Sequence, residues 1–263
     1  MPVRKQAWAP GTPAWVDVTA ADLEATKAFY SGLFGWEYDQ AGEDYGSYAT
    51  ALLDGEPVAG IGPSPGPDAP PPSWTTYLAV ADAEKTEAEA VEAGGKVLLS
   101  TLAVGPMGSM AVLADPGGAV FGLWQAGEHT GFNRYNEPGA DVWNEVVAED
   151  YAAGQEFYAK VFGYTYDEMG DDDTGPYATA AVDGNTVGGI RTLGADDSGL
   201  TPQWRTYFSV ADTEATCRRT VELGGSVTIE PFDTPFGAMA GLRAPGGEAF
   251  MVIGASATPP ADG

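Results

Sequence analysis

Apolar residues fall at helical spacing at Leu23, Phe29, Leu33 and Phe34, directly behind Asp22 and ahead of Gly35. A side-chain acceptor that caps a first turn and a glycine that tolerates a left-handed stop bound a helix there. The run Ala14-Trp15-Val16-Asp17-Val18 before it reads as a strand. Extended segments at 48–53 and 58–61, split by an Asp54-Gly55 turn, follow it. The same order then recurs: strand 75–80, helix 83–93 stopped by Gly94-Gly95, and strands at 96–102, 108–114 and 120–124. Four-residue turn chemistry at Asp115-Pro116-Gly117-Gly118 precedes the last of these.

This pattern is written twice along the chain. Phe29-Tyr30 matches Phe157-Tyr158, Tyr48-Ala49-Thr50-Ala51 matches Tyr177-Ala178-Thr179-Ala180, and Trp74-x-Thr76-Tyr77 matches Trp204-x-Thr206-Tyr207. Pro116-Gly117-Gly118 matches Pro245-Gly246-Gly247, and the offset stays between 128 and 130. Such a period is too long for a solenoid and means one duplicated domain with small loop insertions. The expected organisation is a first domain at 1–125, a linker at 126–140 without periodicity, a second domain at 141–255 and a flexible tail at 256–263. Residues 62–73, rich in proline, join the two modules of the first half. The order β-α-β-β-β, four times over, with antiparallel segments after each helix, predicts an α+β fold with curved sheets.

Composition narrows the function classes. A formal charge of −26, from 38 acidic and 12 basic residues, repels polyphosphate and anionic membranes. No cluster of Lys and Arg stands against it. No apolar run is long enough to span a bilayer and no export signal is evident, so a cytoplasmic location is the expectation. Cys217, the only cysteine, falls in a helical pattern and reads as a packed residue rather than a reactive thiol. No phosphate-binding glycine loop and no nucleophile elbow occur, and the single histidine, His129, leaves a Ser-His-Asp site without its base. His129 lies in the linker, where solvent exposure is expected.

The motif D-x₆-F-Y-x₃-[LV]-F-G-[WY] after a strand, the D-P-G-G turn before the last strand, and Tyr77-x-x-Val80-x-Asp82 resemble the vicinal oxygen chelate superfamily of glyoxalase I, bleomycin-resistance proteins and extradiol dioxygenases. The likeness covers 14–125 and 141–253. The Asn136-Glu137-Pro138-Gly139-Ala140 and Trp143-Asn144-Glu145 segments resemble two-domain actinobacterial members described as hydroxylases. The resemblance implies tandem domains in which paired βαβββ modules curve into two open cups, each around a divalent metal. Its ligands would fall seven residues before each helix cap and six after each turn proline. Those positions hold Trp15, Thr75 and Gly122 in the first cup and Trp143, Arg205 and Met251 in the second. None is a usual ligand, so neither a metal nor another cofactor is expected.

Alternation along strands places Asp17 beside Trp15, Glu145 beside Trp143, Tyr77 beside Thr75 and Tyr207 beside Arg205. Trp124 shares a face with Gly122. These residues predict cups walled by indole, carboxylate and phenol, suited to a flat ligand held by directional hydrogen bonds. Gly122 would leave room for the ligand's body. The competing reading is that Trp15 and Trp143 fill the cups as cores. Arg205 would pair with Glu145 or clamp a substrate, and Met110 and Met239 read as adaptable packing. Three functions stay open. The first is metal-independent binding of a small aromatic or cationic molecule: an antibiotic, toxic metabolite or biosynthetic intermediate. The second is an enzyme of the superfamily: a metal-free isomerase, cyclase or hydratase with Asp17 or Glu145 as base, or a metal-dependent lyase, hydroxylase or dioxygenase. The third is a regulatory or scaffold module with degenerate cups. The expected partner is a small molecule, not nucleic acid or membrane, bound to a monomer or homodimer.

Overall fold

The computed structural model describes residues 3–40, 47–64, 66, 70–170, 175–194 and 201–254. The first half runs β1 (Pro13–Ala20), α1 (Leu23–Phe34), β2 (Glu37–Gln40), β3 (Ala49–Leu53), β4 (Glu56–Pro63), β5 (Trp74–Ala79), α2 (Ala83–Glu92), β6 (Lys96–Ala103), β7 (Gly108–Ala114) and β8 (Val120–Ala126). The second runs β9 (Asp141–Ala148), α3 (Tyr151–Phe162), β10 (Thr165–Glu168), β11 (Tyr177–Val182), β12 (Asn185–Thr192), β13 (Gln203–Val210), α4 (Thr213–Glu222), β14 (Ser226–Thr234), β15 (Gly237–Arg243) and β16 (Ala249–Gly254). Asp22, Asp82, Asp150 and Asp212 each cap their helix by accepting from the amide three residues on. Gly35 and Gly163 close α1 and α3 in the left-handed region, at φ 74° and 72°.

Each half forms one eight-stranded sheet, ordered β2-β3-β4-β1-β5-β8-β7-β6 and, equivalently, β10-β11-β12-β9-β13-β16-β15-β14. The first strand of each module pairs parallel with its last, and β1 meets β5 antiparallel at the centre, as β9 meets β13. This is the tandem βαβββ α+β fold, with the inner strand of every module at the middle of a sheet.

The helices lie where the two halves meet, so the core is shared between them. Phe34 of α1 packs on Phe208 of β13 at 5.1 Å and Phe29 on Phe250 of β16 at 6.5 Å. In the equivalent place Phe157 and Tyr158 of α3 meet Phe121 of β8. Buried hydrogen bonds join the halves in two matching relays. Trp74 Nε1 donates to Tyr30 Oη (3.0 Å), which donates to Glu248 Oε1 (3.1 Å). Trp204 Nε1 donates to Tyr158 Oη (2.8 Å), which donates to Asp115 Oδ2 (3.1 Å). Thr76 Oγ1 and Thr206 Oγ1 approach to 3.5 Å between the two relays.

The segment joining the halves is packed although it is aperiodic. Phe132 is buried, its amide donates to the carbonyl of Ala14 at 2.8 Å, and the Asn133 amide donates to the carbonyl of Pro57 at 2.9 Å. His129 is half-buried against Trp15 and Trp124, not solvent-exposed as its place in the chain suggested. Cys217 is buried in α4. The expected tail at 256–263 and part of the proline-rich 62–73 segment lie outside the described residues.

Candidate functional site

The first cup is built on the register of three neighbouring strands. Trp15 stands opposite Tyr77 and Asp17 opposite Thr75 across β1–β5, and Tyr77 stands beside Gly122 across β5–β8. On its other side Asp17 stands beside Gly60 of β4. Tyr48, just before β3, reaches over Gly60 to complete the polar centre. Its hydroxyl accepts from Trp15 Nε1 at 2.9 Å and donates to Asp17 Oδ2 at 3.3 Å. The Tyr77 hydroxyl also hydrogen-bonds to Asp17. A carboxylate held by two phenols, with no cation among its partners in the described residues, is the chemical centre of this cup.

Two glycines make that arrangement possible. A Cβ at Gly60 would run into the Tyr48 phenol, and a Cβ at Gly122 would run into the Tyr77 ring. The space at Gly122 is therefore filled by Tyr77, not left open for a ligand's body as the sequence suggested. Trp15 and Trp124 are only 3% and 6% exposed, and they form a closed floor rather than open walls. The linker covers that floor: the His129 ring meets Trp15 edge-on at 4.4 Å and Trp124 at 5.3 Å, and Phe132 lies 5.6 Å from Trp15. Asp17, Tyr48, Thr75 and His129 keep part of their surface accessible.

Burial dominates the electrostatics here. It pushes the Asp17 carboxyl up from 3.8 to about 7, against the hydrogen bonds from Tyr77 and Tyr48 that favour the ionised form. Both phenols are held well above their usual range by burial and by the neighbouring Asp17, so they stay donors at neutral pH. Burial lowers His129 to about 4, so its imidazole is neutral at physiological pH.

The second cup keeps the frame and changes the chemistry. Tyr207 Oη donates to Glu145 Oε1 at 2.6 Å, and Arg191 Nε pairs with the same oxygen at 3.3 Å. Glu145 is buried. Arg205 stands directly opposite Glu145 across β9–β13; burial and the neighbouring Glu145 hold the Tyr207 phenol well above its usual range, and the Arg205 charge only partly offsets them. Met251 replaces the first cup's Gly122 beside Tyr207 and is buried. Trp143 is half-buried and hydrogen-bonded to Tyr177, the counterpart of Tyr48. Sequence reasoning missed Tyr48, Tyr177 and Arg191 as site residues. The repeated Tyr-Ala-Thr-Ala motif held the signal for the two tyrosines. Arg191 had none, since its counterpart is Gly62.

A divalent ion needs three or four oxygen or imidazole donors converging on one point. Among the described residues no group of three His, Cys, Asp or Glu side chains does so. Asp17 is surrounded by phenols and an indole, the Tyr77 ring fills the last-strand ligand position, and Glu145 already faces a guanidinium. These residues do not fit a metal centre of the kind the resemblance implies.

A family model described as the Glyoxalase/Bleomycin resistance protein/Dioxygenase superfamily matches residues 12–123 and 141–252. The chain is 37% identical over 258 residues to "Putative glyoxylase CFP32" of Mycobacterium tuberculosis, covering 96% of this chain and 98% of that protein. It is 36% identical over 264 residues to "Anthracycline biosynthesis protein DauV" of Streptomyces sp., covering 94% of each. Among solved structures it superposes on the 2,3-dioxygenase LapB of Pseudomonas sp. KL28 with a TM-score of 0.66, at 13% identity, over 97% of this chain and 95% of that one. The Mn(II)-bound glyoxalase of Novosphingobium aromaticivorans gives 0.65 at 16% identity, over 93% and 82%. At that identity the structural likeness carries the fold alone. No helix among the described residues is long and apolar enough to cross a membrane.

Proposed function

The chain belongs to the Glyoxalase/Bleomycin resistance protein/Dioxygenase superfamily, and from that premise we propose that its first cup binds a small aromatic molecule without the help of a metal ion. The observation that carries this reading is the state of Asp17. The residue keeps part of its surface accessible while its carboxyl is buried, bonded to two phenols and without a cation among its partners in the described residues. Leaving a carboxyl in that setting is costly for folding alone, and the cost is repaid when a ligand brings a hydrogen-bond donor or a cation. Glu145 has no such vacancy, because Arg191 and Tyr207 already occupy it. A relative named for anthracycline biosynthesis supports a flat natural-product intermediate as the ligand class.

A second reading follows from a specific feature of the same group. A carboxyl pushed up to about 7 is matched to proton transfer at neutral pH. Asp17 would then act as the base of an isomerisation or cyclisation, with the Tyr48 and Tyr77 hydroxyls holding its position. Native mass spectrometry of the purified protein tests the binding reading. A co-purifying small molecule is expected on the parent and on Glu145→Gln, and is expected to be lost from Asp17→Asn. Loss from Glu145→Gln with retention on Asp17→Asn would move the site to the second cup.

A further inference from the structure

We propose that a cavity at the seam of the two halves binds a small organic amine through Asp141. The cavity measures about 250 Å³ and lies between the amino-terminal segment, the segment joining the halves, β9 and the start of β12. Its walls include Trp8, Phe132, Tyr135 and Trp143, with Asp141 and Asn144 among the polar groups. None of Trp15, Asp17, Tyr48 or Tyr77 lines it, so it is separate from the first cup. Trp8 meets Tyr135 edge-on at 4.9 Å and Phe132 at 6.2 Å. The volume falls below the roughly 300–1,000 Å³ of drug-sized sites, which suits one ring carrying a short chain.

Asp141 is only 6% exposed, and both its carboxyl oxygens accept from the same Asn144 Nδ2, at 3.0 Å. No cation stands among its partners in the described residues, and burial holds the carboxyl well above its usual range against that one amide. Trp8 Nε1 is also buried without a partner. Two polar groups short of partners on the walls of one cavity mark a place completed by something the chain does not supply. The duplicated fold does not require them. Asp141 and Asn144 stand opposite Phe208 and Thr206, whereas Pro13 and Val16 hold the matching places in the first half, opposite Leu78 and Thr76. Asn144 has a structural task, because its Oδ1 accepts from Thr76 Oγ1 at 2.8 Å across the seam. Asp141 bonds only the far end of that amide. An ammonium group supplies the charge and the N–H donors that a buried carboxylate lacks, and the surrounding rings favour a cation with an apolar body. One carboxylate is too few for a divalent metal. The formal charge of −26 draws cations toward the chain.

The test is calorimetric titration of the intact protein with phenethylamine and with its uncharged counterpart, phenethyl alcohol. The parent is expected to bind the amine about tenfold to a hundredfold more tightly, the worth of a hydrogen bond to a charged group. Asp141→Asn keeps the shape and removes the charge, so it is expected to bind both compounds alike. Were Asp141 only a brace for Asn144, this variant would melt at a lower temperature and keep the preference. Asp17→Asn is expected to retain the full preference, which separates this site from the first cup. Thr186→Trp, at an exposed position of the cavity wall, is expected to weaken both compounds while leaving the core intact. A parent that does not favour the amine, a folded Asp141→Asn that still does, or a preference lost in Asp17→Asn overturns the proposal. If Asp141→Asn fails to fold, Thr186→Trp decides, and unchanged affinity for both compounds overturns the proposal.

Discussion

The ring of Tyr77 lies against Gly122 so closely that any side chain at 122 would overlap it. The strand position from which the superfamily's last metal ligand would project is thus occupied by a phenol from the neighbouring strand, and that phenol is bonded to Asp17.

Gly122→Glu tests this directly. Restoring a carboxylate at that position is expected to displace Tyr77 and destabilise the fold by about 1–3 kcal/mol, as overpacking of a filled site does. Urea denaturation measures the loss, and elemental analysis should find no metal gained. A variant of full stability that retains one equivalent of a divalent ion would show that the cup has room for the ligand.

Asp17 sets a pH dependence with a definite sign. Its carboxyl titrates near 7 in the folded chain and near 3.8 when unfolded, so the folded state holds the extra proton between those values. Stability contributed by this group is complete below about pH 4 and is lost as the pH rises to about 7. Asp17→Asn removes the titration, so the variant's stability relative to the parent is expected to rise across that window. Asp115, Asp141 and Glu248 are also shifted upward by burial and contribute slopes of the same sign. They cancel in the comparison of parent with variant, which thermal melts at pH 5 and pH 8 will read.

His129 titrates the other way. Burial depresses it from 6.5 to about 4, so protonation favours the unfolded chain and stability falls as the pH drops through that interval. Nuclear magnetic resonance of the lone imidazole is expected to show no titration between pH 6 and 7. A midpoint near 6.5 would place the ring in solvent and remove it from the cup.

Much of this fold was legible in the chain because its signals are local. The four capping aspartates, the Gly35 and Gly163 stops and the repeated Phe-Tyr pairs fix elements within a few residues of themselves. β2 was not legible: Glu-Tyr-Asp-Gln is mostly polar and owes its place to backbone pairing with β3. The burial of Phe132 had no periodic signal either, since its partners, Trp8 and Trp15, come from two separate segments. The site was half legible. Strand alternation placed Asp17, Tyr77 and Trp124 on one face, but the Tyr48 contact spans 31 residues and depends on Gly60 having no side chain. The Arg191–Glu145 pair joins strands whose pairing no motif announces.

The two relays between the halves are unequal, and their variants should be too. Asp115 keeps the Ala119 amide at 2.8 Å if Tyr158 loses its hydroxyl. Glu248 already has one buried oxygen without a partner, and besides Tyr30 only its own backbone amide bonds the carboxyl. Tyr30→Phe is therefore expected to cost more than Tyr158→Phe, with both in the range of about 1–3 kcal/mol for an unpaired buried group. Chemical denaturation of the two variants gives the order, and an equal cost would mean that Glu248 finds another donor.

The most direct test of first-cup binding without metal is the dissociation constant of 2,6-dihydroxynaphthalene for exhaustively chelated parent and for Asp17→Asn. The proposed site predicts that chelation leaves the parent's affinity unchanged. It also predicts that Asp17→Asn binds about tenfold to a hundredfold more weakly, the worth of a hydrogen bond to a charged group. Binding that disappears on chelation, or a folded Asp17→Asn that binds as tightly as the parent, would contradict it.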